Sequence, residues 1–205
     1  MPAYRWPNNP MRVISQFESR HRNPKAGALL AFAVWAVESL YYLGDLDQEL
    51  DPSQAMVGEH SADVIDVAHA RWAVATCITA LDLCAAALGR ALCGHKKKRE
   101  LALRDFDLNR ELEQKENRAA HLRADLRKRG RKWIDNVLAD PEYIQIKAAR
   151  NALIHARVAR HLTVPRQRIR LQLKDEQVDV PTIIDTAKHL GSKHVSDLLA
   201  ILPDL

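Results

Sequence analysis

Apolar residues recur at helical spacing along most of the chain and alternate in one short stretch near its end, and the order of these patterns sets the expected architecture. A first helical stretch falls near Met11 to Arg20. "NPKAGALLAFAVWAVESLYYLGDL" follows, with Asn23 and Pro24 offering a cap and a first-turn proline. Its apolar residues are nearly continuous, which predicts a central position in a bundle. "DPSQAMVGEH" reads as a loop, and Ser61 to about Ala91 gives the strongest helix in the chain, with Gly94 as a stop. The charged segment 95–117 reads as a loop or frayed helix. Helical spacing resumes from Arg118 to Leu138, with Gly130 a point where it could break, and again in "DPEYIQIKAARNALIHARVARHL", where Asp140 is the expected N-cap and Pro141 the first helical residue. Ile169, Leu171, Leu173, Val178 and Val180 then alternate around "KDEQ", the pattern of a β-hairpin, before helical spacing returns through Ile201.

The expected fold is therefore mainly α: a helical bundle with a small C-terminal β-hairpin and a final helix. Residues 1–22 form an arm, irregular or loosely tethered over the proline- and asparagine-rich first ten; 23–162 form the bundle; and 163–205, the hairpin and last helix, pack on the same domain. Composition agrees with this. At 205 residues the chain suits one domain, and 47% hydrophobic with 5% aromatic residues and seven glycines fits helices better than a sandwich. The most apolar run, residues 27–44, is short and carries Glu38, so a buried core helix is preferred to a membrane span. Cys77, Cys84 and Cys93 are odd in number, lack CxxC spacing and lie in apolar surroundings. Reduced, buried thiols are expected, and with no signal-type N-terminus the reading is a cytoplasmic protein without a membrane partner.

The charge is uneven. From Arg90 to Lys132 there are fifteen Lys or Arg against seven Asp or Glu, while the whole chain carries only +5. That asymmetry suits a phosphate-bearing ligand such as RNA, and a solvated charged face explains it equally well. "GHKKKRE" at 94–100 and "LRKRGRKW" at 126–133 concentrate it. The second run supplies Arg127, Lys128, Arg129, Arg131 and Lys132 just before the helix of "AARNALIHARVARH", which adds Arg157 and Arg160.

In that helix Asn151 and His155 are four residues apart and share a face, and Arg150 flanks them. Arginine offers a bidentate cation for phosphate, asparagine a neutral hydrogen-bonding group, and histidine a proton exchanger near neutral pH. Spacing alone leaves an interfacial histidine beside a surface arginine as an even alternative, because "RALCGH" repeats the Arg-to-His separation at Arg90 and His95 without the polar neighbour. No HExxH, glycine-rich phosphate loop or GxSxG occurs, so zinc protease, nucleotide triphosphatase and serine hydrolase chemistry have no residue support, and neither metal nor cofactor is expected.

"RNALIH" resembles the signature of the HEPN superfamily (higher eukaryotes and prokaryotes nucleotide-binding): Arg, a polar residue, three variable positions and His, late in an all-α bundle. The order of the surrounding segments is similar too, from the long Ala-rich helix with "ALD" at 80–82, through a charged connection and "WIDNVLADPEY", to a hairpin with "VDVPTII". The resemblance covers about residues 25–202. It implies a helical bundle that pairs motif helices in a homodimer and, in active members, metal-independent endoribonuclease activity in toxin–antitoxin, antiviral defence or RNA-processing systems. It also implies roles: Arg150 on the scissile phosphate, Asn151 orienting the site, His155 in proton transfer. A cognate antitoxin or regulatory protein is then an expected partner. A non-catalytic module that dimerises and binds RNA or a partner is the alternative within the same resemblance.

Overall fold

The computed structural model describes residues 4–49, 60–93, 124–154, 170–173 and 176–204. Helices make up 88% of them, so the chain is mainly α. In chain order these are α1 (Pro10–His21), α2 (Pro24–Glu49), α3 (His60–Cys93), α4 (Ala124–Ala139), α5 (Pro141–Ile154), then β1 (Arg170–Leu173), β2 (Glu176–Asp179), α6 (Val180–Ile201) and a 3-10 turn (Leu202–Asp204). Of the loop expected at 51–60, His60 is the first residue of α3 and the rest lies outside the described residues, as does the charged segment 95–117.

Local chemistry explains the helix starts. Asn9 accepts from the Arg12 backbone N–H at 3.2 Å with Pro10 as first helical residue. Asn23 accepts from Ala26 N–H at 3.1 Å, and its own amide nitrogen donates to the Arg90 carbonyl, so the cap of α2 also holds the end of α3. α4 runs through Gly130, which is buried, without the break that glycine would permit. The last helix starts earlier than the alternation implies. Val180 is its first residue rather than the end of a strand, because Pro181 has no N–H to give a sheet and its fixed φ suits a first helical turn.

α3 is the centre of the bundle. It packs against α2, α6, α5 and α4, and from Cys84 to Leu88 every side chain is buried. It is also the one described helix long and apolar enough to cross a membrane, and most of that stretch, Val67–Ala91, is covered by its neighbours. α2 takes the flank instead. Leu30, Ala33, Val34, Val37 and Leu40 are buried, while Phe32, Trp35 and Tyr42 are exposed on the opposite side. A near-continuous apolar run cannot by itself say whether every face has a neighbour. In the hairpin Leu171 opposes Val178 and Leu173 opposes Glu176, with both leucines buried and β1 resting on α5. α6 closes the bundle against α3 and α2; Gly191 brings it to van der Waals range, where an added Cβ would sit 3.5 Å from Val37 and Leu40. In the arm, residues 4–9 carry no helix and α1 follows, and the non-helical part is tied down: Tyr4 shares a 2.9 Å hydrogen bond with Ser196, and Trp6 donates to Glu38 at 3.0 Å.

Candidate functional site

α5 carries the motif, and its start is fixed by a side chain. Asp140 Oδ1 accepts from the Glu142 N–H at 2.9 Å, which satisfies one of the free donors of the first turn. Its carbonyl accepts from Ile144 N–H at 3.1 Å, the first bond of the helix. The other carboxylate oxygen faces α6, where Lys193 Nζ reaches it at 2.7 Å and His194 Nε2 at 2.9 Å. Both Asp140 and His194 are buried. Burial alone would push the Asp140 carboxyl up; the bonds from Lys193, the Glu142 amide and His194 outweigh it and hold the group at about 2. Asp140 in turn holds the Lys193 ammonium above its ordinary value.

The same junction is tied twice more. Trp133 of α4 donates its indole N–H to the His194 carbonyl at 2.8 Å, and Glu142 pairs with His189 at 2.8 Å. With His194 2% exposed, no substrate reaches this Asp–His pair, so its role is to dock α5 on α6. At the other end Arg71 of α3 donates to the Leu153 carbonyl at 3.0 Å. These groups were not apparent as a set from sequence, because Lys193 and His194 stand more than fifty residues from Asp140. A lysine–histidine pair on the last helix is the signal that was present.

Between these anchors the helix has two faces. Tyr143, Ile146, Ala149, Ala152 and Leu153 are buried, at the three- and four-residue spacing of a core stripe. Ile144, Lys147, Arg150 and Asn151 are exposed. Arg150 and Asn151 are thus brought out together into solvent on a helix whose ends are held. His155, Arg157 and Arg160 lie outside the described residues. Of the basic run on α4, Lys128, Arg129 and Lys132 are exposed, Arg131 pairs with Asp135 at 3.4 Å, and the Arg127 side chain is outside the described part.

Chemically, the exposed pair offers a guanidinium fork and an amide, a suitable surface for a phosphate oxygen. Among the described residues no three His, Cys, Asp or Glu side chains converge as a metal site would need. Cys77 and Cys84 are buried and unpaired; burial pushes the Cys77 thiol up to about 12, against a weaker opposing hydrogen bond from Gly191, and raises Cys84 as well. Neither is a nucleophile near neutral pH. The Cys93 side chain lies outside the described residues.

No protein-family model matches the chain, and no curated protein or solved structure shows significant similarity to it.

Proposed function

We propose that the chain is a HEPN-type, metal-independent endoribonuclease whose site combines Arg150, Asn151 and His155 in a homodimer. The observation that supports it best is the exposure of Arg150 and Asn151 side by side on α5, a helix anchored at Asp140 and at Leu153. His155 is one helical turn beyond Asn151 in sequence, at the spacing that suits one face. The exposed Lys128, Arg129 and Lys132 supply further positive charge for an RNA backbone.

In this reading the RNA 2′-oxygen bonds to the adjacent phosphorus and loses its proton, the P–O5′ bond breaks, and O5′ takes up a proton. His155 carries out proton transfer. Arg150 neutralises charge on the nonbridging oxygens as the crowded phosphorane forms, and Asn151 holds the phosphate in register. The products are a 2′,3′-cyclic phosphate and a 5′-hydroxyl. DNA has no 2′-hydroxyl and is not cut. The cellular setting that goes with this chemistry is a cytoplasmic toxin–antitoxin or defence system with a cognate regulator.

Purified protein incubated with mixed-sequence RNA in EDTA tests the proposal. Cyclic-phosphate ends from the wild type, absent with His155→Ala and with Arg150→Ala, are the expected result. Intact RNA from a folded protein that still retards RNA in a salt-dependent manner would overturn the nuclease and leave an RNA-binding module.

A further inference from the structure

The N-terminal arm and α2 border a shallow surface groove of about 540 Å³ that is largely open to solvent. Two indoles share its lining with the prolines and asparagines of residues 7–10. Trp6 comes from the arm and Trp35 from α2, and Met11 and Glu38 also line the groove. Among the described lining residues the only charge is that carboxylate, and no lysine or arginine is present to neutralise it.

The groove is held in shape. Tyr4 lies edge-on to Trp6 at 4.8 Å between ring centres and against Tyr41 at 5.1 Å, and its hydroxyl meets Ser196. Trp6 donates to Glu38 Oε1 at 3.0 Å, which fixes the carboxylate and leaves Oε2 to receive another donor. Beyond the mouth, Phe32 packs at right angles on Trp35 with ring centres 5.3 Å apart, and both are more than half exposed. Water is a poor neighbour for so much ordered aromatic surface.

We propose that this groove binds an arginine side chain carried by an extended peptide segment of a partner protein. Indole faces attract cations, and a guanidinium is flat enough to stack on them while its edge forks toward a carboxylate. Lysine, a compact and strongly hydrated charge, gains less from the same walls. The open side admits a chain running past the groove, with the Phe32–Trp35 edge meeting its neighbouring residues. This site is independent of the ribonuclease reading.

The test is a titration of the full chain with an acetylated, amidated Gly-Pro-Arg-Pro-Gly peptide, following tryptophan fluorescence and the indole N–H resonances. Saturable binding that perturbs the Trp6 and Trp35 signals is expected, at least tenfold weaker for the citrulline peptide and for Glu38→Gln. That substitution retains an oxygen for the Trp6 N–H, so the fold survives it. Trp35→Ala should abolish binding without altering the helical circular dichroism. Equal binding of arginine and citrulline peptides, no effect of Glu38→Gln, or no saturation would overturn the proposal. So would tetramethylammonium binding as tightly as the peptide, which would make the groove a small-cation site. A concentration-dependent change in protein alone, removed by Trp35→Ala, would mark a self-contact and overturn it too.

Discussion

At its N-cap α5 rests on a buried carboxylate gripped by Lys193 and His194, whereas ten and eleven residues later the same helix sets Arg150 and Asn151 out in water with no such grip among the described residues. The ends differ in what their polar groups are for. A buried charge is tolerable only when its lone pairs are filled, and Asp140 fills them from its own helix and from α6. An exposed charge carries no such requirement and is left available to a ligand. Removing the first should damage the fold and removing the second should not.

The largest effect is expected at Asp140. In Asp140→Ala the Lys193 ammonium, the His194 ring and the Glu142 amide all lose their acceptor, and His194 is buried where water cannot replace it. A loss of about 3 kcal/mol follows from leaving buried polar partners unpaired. Urea denaturation followed by circular dichroism measures it. A change below 1 kcal/mol would show that α5 is held mainly by its apolar stripe.

Acid probes the same contact without mutation. The Asp140 carboxyl sits at about 2 in the folded chain against 3.8 when unfolded, so its contribution is complete above the unfolded value and disappears as pH falls through the folded one. That shift corresponds to roughly 2 kcal/mol. Lys193 moves the other way: its raised value adds stability that is present below the unfolded value and lost as pH rises through the folded one, weakened by solvent because the side chain is 43% exposed. Stability measured from pH 5 down to pH 2 should fall less steeply in Asp140→Asn than in the wild type.

At the far end the anchor is smaller. Arg71→Met keeps the side-chain stem and removes the donor to the Leu153 carbonyl, and about 1 kcal/mol should be lost. Hydrogen exchange should accelerate at the amides near Leu153 and remain unchanged around Glu142. Uniform acceleration along α5 would mean that its two ends open together.

Much of this contrast was legible in sequence, and the limits have physical causes. Asp140 before Pro141 announces a helix start because both residues act on their immediate neighbours, and the side-chain cap is there. The other half of Asp140's work depends on α6, brought alongside only by folding. The exposed flank of α2 was hidden for a related reason: Phe32 and Trp35 continue an apolar run, and only the packing shows that α3 and α6 cover the opposite side. Val180 misleads through alternation, which the following proline overrides.

The smallest stability change is expected at the residues with the strongest functional reading. Arg150→Ala and Asn151→Ala remove side chains from the exposed face of α5 and replace them with the best helix former, so thermal unfolding should give differences within about 0.5 kcal/mol of the wild type. If RNA cleavage falls by two orders of magnitude or more in the same proteins, these side chains act on the substrate rather than on the fold. If stability falls by as much as in Asp140→Ala, the outward face is covered in solution, and the division between an anchored start and a free surface is replaced by a helix buried along its whole length.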